Sequence, residues 1–306
     1  APREWSGVSE DPRDEQFGDV IQGIHMNGID EFAAVLVGEP YDGGVIGRKG
    51  ARRGPSAIRD ALATLKTNHF SHGKIRNIGD LGDIDMSADD TDVAGVQEVV
   101  KKVAEKVHRR DVTPIFIGGD NSLSYPNASP LLDRSLGVIN LDAHLDCREV
   151  RSDAGPTSGT PYRQLLEEGL DQYIVLGARH FETTRQYQEY AEERGGKIIM
   201  ANEMRENWKM VLNSIEDALT EMDHVHFSID MDVLDASCGP GVSAPTPGGI
   251  TSRELFDIVH RVAATIPISS FEVVECAPKY DESNLTARAA ASSIGHFLAG
   301  SIESGT

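Results

Sequence analysis

The chain has 306 residues, of which 39% are hydrophobic, and its 49 acidic and 29 basic residues give a formal net charge of −20. This amount of apolar material is enough for one large domain with a buried core, and we expect a single domain over residues 1–306. The strongly negative field excludes proteins that bind nucleic acid or anionic membranes through a basic surface.

Short runs rich in Val and Ile alternate with amphipathic stretches along the chain, which is typical of strands and helices around a mostly parallel sheet. Residues 1–17 are polar and aperiodic, and we expect an N-terminal arm that is mobile or clasps a neighbouring subunit. The predicted strands are 32–37, 75–78, 113–117, 136–141, 173–177, 197–200, 225–230 and 268–275. The predicted helices are 55–66, 90–108, 121–132, 161–168, 183–194, 208–220, 252–265 and 285–300. The pattern predicts an α/β fold.

Potential metal ligands follow two of the predicted strands. The strand at 136–141 runs into Asp142, His144 and Asp146, and the strand at 225–230 runs into Asp230 and Asp232. Side chains two residues apart in an extended segment point the same way, and ligands of open α/β sheets bind at the carboxyl ends of the strands. One such Asp could be a turn or helix cap, but two clusters together indicate a metal site. Oxygen ligands with one imidazole favour Mn²⁺, while Fe²⁺, Co²⁺ and Ni²⁺ stay open.

A third segment, GGDNS at 118–122, follows the strand at 113–117 and opens a helix. Its glycines allow a tight turn with close backbone approach. Alone, this segment could equally be a simple helix N-cap. Isolated histidines are more often surface or core groups than ligands, and we assign no role to five of them: His69, His72, His108, His224 and His260.

The cysteines and the apolar runs bear on the compartment. Cys147, Cys238 and Cys276 are odd in number and widely spaced, so the sequence predicts neither a disulfide framework nor a zinc knuckle. The sequence contains no apolar run of transmembrane length and no signal-peptide pattern at its N-terminus. We therefore expect a soluble, cytoplasmic protein.

The basic residues are unevenly divided, with twenty Arg against nine Lys. Together with the net charge of −20, this composition would keep a protein soluble in high salt, where ions screen self-repulsion. We expect a halophilic protein. The alternative is an ordinary acidic cytosolic enzyme, because charge alone does not identify an environment.

Three segments in order, GGDNS, DAHLD and SIDMDVLD, resemble the arginase and agmatinase family of ureohydrolases. The resemblance extends over most of residues 30–300 and includes GEPYDGGVIGRKGARRGPSAIRDAL, SGTPYRQLL, FEVVECAPKYD and TARAAA. It implies a three-layer sandwich with a mostly parallel central sheet, two Mn²⁺ ions per subunit, and a homo-oligomer that is a trimer or hexamer.

The same resemblance assigns the metal ligands. Five positions match ligands of the family: Asp142, His144, Asp146, Asp230 and Asp232. The sixth ligand of the family is a histidine, and that position is Asn121 here. An amide oxygen can coordinate Mn²⁺ but is neutral and weaker than imidazole. One of the two ions would therefore bind loosely, or the site would have lost it.

Two other departures distinguish this chain within the family. The SGTP segment that begins at Ser158 stands where arginases and agmatinases have a His-Gly pair, and it resembles formimidoylglutamases instead. The resemblance implies that Ser158 binds the substrate. Arg148 stands where arginases have an asparagine that contacts the substrate carboxylate, and an arginine there suits a more anionic substrate. Glu275 matches the acidic residue that pairs with the amidinium or guanidinium group. Arg288 could bind a second carboxylate or simply pair with an acidic neighbour.

The resemblance therefore implies hydrolysis of N-formimidoyl-L-glutamate, an amidine with two carboxylates, to L-glutamate and formamide. We expect a hydroxide that bridges two Mn²⁺ ions to attack the formimidoyl carbon while Glu275 orients the amidine. Asp146 would pass a proton to the departing amine. Two alternatives stay open: an agmatinase or guanidino-acid hydrolase that releases urea, and a non-catalytic metal-binding paralogue.

Overall fold

The computed structural model describes residues 3–86 and 92–304. The strands are β1 (Gln22–Gly23), β2 (Ala34–Gly38), β3 (Asn68–His69), β4 (Gly73–Lys74), β5 (Ile78–Asp83), β6 (Thr113–Ile117), β7 (Leu136–Leu141), β8 (Gln172–Ala178), β9 (Lys197–Met200), β10 (His224–Asp230) and β11 (Ser270–Val274). The α-helices are α1 (Phe17–Val20), α2 (Gly54–Thr64), α3 (Val93–His108), α4 (Ser124–Ala128), α5 (Pro161–Glu168), α6 (Arg185–Glu192), α7 (Ala201–Leu219), α8 (Ser252–Thr265) and α9 (Leu285–Ser304).

One sheet joins nine of these strands in the order β1-β5-β2-β6-β11-β10-β7-β8-β9. Every neighbouring pair in it is parallel. The strands β3 and β4 form a separate antiparallel pair. Because all strands of the large sheet run the same way, the segments after β6, β11, β10 and β7 emerge side by side at one edge.

Helices cover both faces of the sheet. Adjacent residues of β7 pack into different clusters: Ile139 joins residues of α2, α7, α8 and α9, and Val138 joins residues of α5. In the same way, Leu36 of β2 joins the first cluster, and Val35 packs with residues of α3 on the other face. A parallel sheet buried on both sides is apolar along its whole strands, which explains the continuous Val and Ile runs. The predicted three-layer α/β fold is confirmed.

The second strand of the sequence prediction is displaced. We expected it at 75–78, and β5 instead covers Ile78–Asp83. Asp80 is fully buried in this strand, where its Oδ1 lies 2.8 Å from Nη2 of Arg59 on α2, which is itself buried. The ion pair allows a carboxylate inside the sheet, whereas sequence patterns treat such a residue as part of a loop.

Several helices also depart from their predicted bounds. The helix expected at 121–132 is divided into the short α4 between two 3₁₀ turns, Asn121–Leu123 and Ser129–Asp133. The helix expected at 208–220 begins at Ala201 and contains a non-helical residue, Asn207. The helix expected at 90–108 is observed from Val93, and residues 90 and 91 lie outside the described part. None of the described helices has the length and apolar character needed to span a bilayer.

The first described residues pack against their own chain. The indole Nε1 of Trp5 donates to Asp80 at 2.9 Å, and the side-chain amide of Gln16 donates to the carbonyl oxygen of Thr64 at 2.8 Å. These contacts attach the segment from residue 3 to residue 16 to α2 and β5. Residues 1 and 2 of the expected arm lie outside the described part, and a contact with a second subunit stays a prediction.

Candidate metal centre

Four neighbouring strands bring their carboxyl ends to one edge of the sheet. Asp142 directly follows β7, and Asp230 is the last residue of β10, which pairs with β7 through Ile229 and Leu141. Glu275 follows β11, and the GGDNS segment follows β6. The backbone N–H of Glu275 donates to the carbonyl oxygen of Gly119 at 2.8 Å, which joins these last two segments.

The five carboxylate and imidazole ligands predicted from the sequence converge there. Asp142, His144 and Asp232 form one group, and Asp142, Asp146 and Asp230 form a second group. Within each group the potential ligand atoms lie within 4.8 Å of one another. Because Asp142 belongs to both groups, the arrangement suits two adjacent cations that share a carboxylate.

Electrostatics at the centre also fit cations. Burial, aided by the neighbouring carboxylates, raises the pKa of Asp142 and holds the pKa values of Asp146 and Asp230 well above their usual range. Burial alone would lower the pKa of His144, but the carboxylates of Asp232 and Asp142 outweigh it and raise that pKa to about 12. Oδ1 of Asp232 is buried and has no hydrogen-bond partner among the described residues. Divalent cations would neutralise this negative charge and use such oxygens as ligands.

A network of buried side chains orients Asp142. Its Oδ1 accepts from the backbone N–H of His144 at 2.7 Å, and its Oδ2 accepts from Nδ2 of Asn140 at 2.9 Å. The hydroxyl of Tyr162 in turn donates to Oδ1 of Asn140 at 3.0 Å. Ligand carboxylates with such outer partners lose less rotational freedom when a metal binds. Asn140 lies two residues before Asp142 on β7, but the partner Tyr162 comes from α5.

Arg179 holds residues 232–234, the segment that contains Asp232, in place. This role was not predicted from the sequence. Arg179 follows β8, and its Nη2 donates to the carbonyl oxygens of Asp232, Val233 and Leu234 at 2.7, 2.5 and 2.9 Å. Its Nη1 donates to the carbonyl oxygen of Thr246 at 2.8 Å. A buried guanidinium can satisfy several carbonyl groups at once because it has five donors. Its position at the carboxyl end of a strand was the one available sequence signal.

Asn121 lies in the centre, but its side chain contacts protein groups. Its Nδ2 donates to Oδ2 of Asp146, and its Oδ1 accepts from the hydroxyl of Ser124 at 2.6 Å. Its backbone N–H donates to Oε1 of Glu275 at 2.8 Å. The amide therefore joins two predicted functional carboxylates, Asp146 and Glu275. Coordination of a metal by Asn121 stays a prediction.

Both of those carboxylates sit on unusual backbone. Asp146 has a φ of 44° and Glu275 has a φ of 64°. Residues other than glycine rarely adopt such positive φ angles. Backbone strain of this kind persists where surrounding structure holds it, often at functional sites. The close approach that glycine allows is required at Gly119, where a Cβ would stand 1.7 Å from the carbonyl oxygen of Tyr41.

Glu275 has one carboxylate oxygen available to a ligand. The residue is 1% exposed, and its Oε2 has no hydrogen-bond partner in the described ranges 3–86 and 92–304. Burial, followed by the charge of Asp120, holds the pKa of Glu275 well above its usual range. A cationic group that entered beside Oε2 would favour the ionised carboxylate and satisfy its lone pairs.

A cavity opens over the predicted metal ligands and contains two of the three predicted substrate-binding residues. It encloses about 500 Å³ of empty space, including its open side, and is lined by His144, Asp146, Asp230, Asp232, Glu275, Arg148 and Ser158 among others. Arg148 is exposed, and its backbone N–H donates to the carbonyl oxygen of Gly159 at 2.8 Å. The hydroxyl of Ser158 accepts from the backbone N–H of Ile46 at 3.1 Å.

Arg288, the third predicted substrate-binding residue, does not line this cavity. It lies in α9 between Ala287 and Ala289, which are buried, and its own side chain is exposed. Successive residues of a helix point in different directions. Because the two alanines point into the core, Arg288 points away from it. Arg148 is therefore the arginine that can meet a ligand in this cavity.

Comparisons with known proteins agree with this geometry. The formimidoylglutamase of Halobacterium salinarum is 51% identical over 302 residues, which cover 97% of each chain. The crystal structure of formimidoylglutamase from Bacillus subtilis superposes with a TM-score of 0.90 at 30% identity, over 98% of this chain and 96% of that one. A Trypanosoma cruzi formiminoglutamase structure with Mn²⁺ gives a TM-score of 0.80 at 29% identity, over 90% of this chain and 98% of that one.

The sequence match along the chain and the residues of the candidate metal centre indicate the same family. Residues 32–300 match the model of the arginase family. The resemblance predicted from GGDNS, DAHLD and SIDMDVLD is confirmed, and these segments supply the residues that converge at the sheet edge. The chain belongs to the arginase family.

Proposed function

We propose that this protein hydrolyses N-formimidoyl-L-glutamate to L-glutamate and formamide at a centre with two Mn²⁺ ions. The observation that carries the proposal is one cavity that is lined by four members of the two ligand groups, by the buried Glu275 and by the exposed Arg148. The substrate is complementary to this distribution of charge because it carries an amidine at one end and carboxylates at the other. Its relatives include the three formimidoylglutamases compared above.

The ligand set supports Mn²⁺ as the metal. Asp142, His144, Asp146, Asp230 and Asp232 offer carboxylate oxygens and one imidazole, and the carboxylate-rich set suits Mn²⁺ better than zinc. Asn121 is the sixth candidate, with its amide in contact with Asp146. When bound, the two cations would supply a water of lowered pKa as nucleophile and stabilise negative charge at the reacting carbon.

The protein's own residues orient the substrate and move its protons. Oε2 of Glu275 accepts hydrogen bonds from the amidinium and turns the formimidoyl carbon toward the ligand groups. Water adds to that carbon, and the bond from the carbon to the glutamate nitrogen breaks. Asp146 takes the proton that the water gives up and passes it to the departing nitrogen, which leaves as the amine of L-glutamate. The remaining carbon, oxygen and nitrogen form formamide.

Arg148 gives the first test of this proposal. In Arg148→Gln, kcat/KM for N-formimidoyl-L-glutamate should fall about tenfold, because a charge-assisted hydrogen bond is worth roughly 1.5–3 kcal/mol and exposure to water places this one at the lower end. Steady-state kinetics with two analogues identify the contact: N-formimidoyl-4-aminobutyrate lacks the α-carboxylate, and N-formimidoyl-2-aminobutyrate lacks the γ-carboxylate. The variant should be indistinguishable from the wild type on the analogue that lacks the contacted group.

Arg151→Gln is the matched control, because Arg151 is exposed nearby in sequence and pairs with Asp153. Its kcat/KM should equal that of the wild type. An unchanged kcat/KM in Arg148→Gln at full metal content would remove Arg148 from the substrate site.

The net charge supports a halophilic protein. With −20 formal charge and only nine Lys, we expect self-repulsion to destabilise the fold when salt is removed. Urea unfolding in low and in molar KCl should give a lower free energy of unfolding in low salt. A free energy that does not fall when salt is removed would indicate an ordinary acidic enzyme instead.

The cellular location and assembly are also proposals. All three cysteines, Cys147, Cys238 and Cys276, are free thiols, which fits a reducing, cytoplasmic compartment. A homo-oligomer, as a trimer or hexamer, follows from the family resemblance and is measured directly by light scattering of the Mn²⁺-loaded protein.

A further inference from the structure

A second group of potential metal ligands lies outside the cavity described above. His69 of β3, His72 of the turn between β3 and β4, and His260 of α8 place one imidazole nitrogen each within 4.8 Å of the others. We name this group the histidine cluster. No sequence pattern joins these residues, because His260 is almost two hundred residues away along the chain. None of the three lines the cavity over the carboxylate ligands.

The ring geometry in the histidine cluster resembles that of imidazoles around one ion. Nε2 of His72 and Nε2 of His260 lie 3.1 Å apart and face each other. Two imidazole nitrogens bound to one tetrahedral Zn²⁺ lie about 3.3 Å apart, because each Zn–N bond is about 2.0–2.1 Å. A pair of facing ring nitrogens can share one proton, and a cation can replace that proton without a large movement of either ring.

We propose that the histidine cluster binds one divalent transition-metal cation of the Zn²⁺ class, as a site separate from the dinuclear centre. Three imidazoles fill three positions of a tetrahedral ion and leave the fourth for water. Zn²⁺, Ni²⁺ and Cu²⁺ bind nitrogen ligands strongly, whereas Mn²⁺ prefers carboxylates. The two sites therefore differ in chemistry, and the histidine cluster should discriminate against Mn²⁺ more strongly than the carboxylate centre does.

The surroundings allow an ion to enter. The histidine cluster borders an open cavity of about 990 Å³, including open solvent, whose other lining residues include Asp257, Arg261 and His296. Asp257 would attract a cation and Arg261 would oppose it. The net charge of −20 attracts cations to the protein as a whole.

His296 of α9 could support the histidine cluster from outside. Its ring meets that of His69 edge to face, with centroids 6.0 Å apart, and stacks on Phe256 at 5.0 Å. An ion in the cluster would tie the β3–β4 hairpin to α8, whose neighbour is α9.

The test measures two metals in one sample. Protein loaded with Mn²⁺ receives one equivalent of Zn²⁺ at neutral pH, unbound metal is removed, and zinc and manganese per chain are counted by elemental mass spectrometry. We expect one zinc gained with no manganese lost, and a zinc X-ray absorption spectrum with nitrogen ligands from imidazole. Zinc should also raise Tm, because it binds only the folded chain.

His72→Gln should weaken zinc binding by more than about 100-fold, because loss of an outer partner alone costs about 10- to 100-fold. It should leave manganese content and activity unchanged. His260→Gln repeats the test from α8, in case one variant folds poorly.

The control is His25→Gln, because His25 is exposed and lies outside the histidine cluster. Zinc uptake equal in His72→Gln and wild type, zinc that displaces manganese one for one, or no zinc uptake by the wild type would overturn the proposal.

Discussion

Asp232→Ala should lose metal and turnover together. Asp232 is one of three potential ligands in the group with Asp142 and His144, and its Oδ1 is buried without another partner in the described part of the chain. Loss of an outer partner of a metal ligand costs about 10- to 100-fold, so loss of the ligand itself should lower kcat by more than about 100-fold. Elemental analysis of the purified variant, beside a kinetic assay, measures both effects.

Asp217→Ala is the control for this experiment, because Asp217 is an exposed aspartate of α7 and is neither a member of the two ligand groups nor a residue that lines the cavity. It should keep two Mn²⁺ per chain and normal turnover. If Asp232→Ala retained activity at full metal content, the assignment of the dinuclear centre would be wrong.

Glu275→Gln should bind both metals and still turn over poorly. The amide can accept from the backbone N–H of Asn121 as Oε1 does now, so the fold around residue 275 is kept. It cannot give the amidinium a negative partner, and its NH₂ group would face the donors of the substrate. Removal of one partner of a buried charged pair costs about 2–5 kcal/mol, so kcat/KM should fall roughly 30-fold to several thousand-fold.

Manganese content and kcat/KM of Glu275→Gln measure this prediction, with Glu282→Gln as the control. Glu282 is exposed in the next loop of the chain, and its replacement should change neither quantity. A normal kcat/KM for N-formimidoyl-L-glutamate in Glu275→Gln would mean that the amidine is oriented by another group.

The carboxyl ends of β7 and β10, which carry the candidate metal centre, could be predicted from the sequence. Buried parallel strands are apolar along their whole length, so the change from LGVINL to Asp142 and from HFSI to Asp230 locates the strand ends. The alternation expected of extended backbone grouped His144 and Asp232 with them. In the structure these two residues instead reach the centre through a bend at His144 and the 3₁₀ turn Met231–Val233. The strand β5 was displaced in the prediction because the buried Asp80 depends on Arg59, a contact that no local pattern contains.

The supporting residues could not be predicted in this way. Arg179 donates to the carbonyl groups of Asp232 and its neighbours, more than fifty residues away, and backbone acceptors leave no mark in the sequence. The histidine cluster also depends on tertiary structure, because it joins the β3–β4 hairpin to α8, which is 188 residues away between His72 and His260. Arg288 looked suitable by charge, but it is exposed on α9 and does not line the cavity.

The identity of the product tests the central proposal most directly. The Mn²⁺-loaded protein is incubated with N-formimidoyl-L-glutamate, agmatine or arginine, in low and in molar salt, and formamide and urea are measured. We predict formamide from N-formimidoyl-L-glutamate and no urea from the other two. Urea from agmatine or arginine would keep the dinuclear hydrolase but contradict the substrate, and no product from any of the three with metal bound would contradict the proposed catalysis.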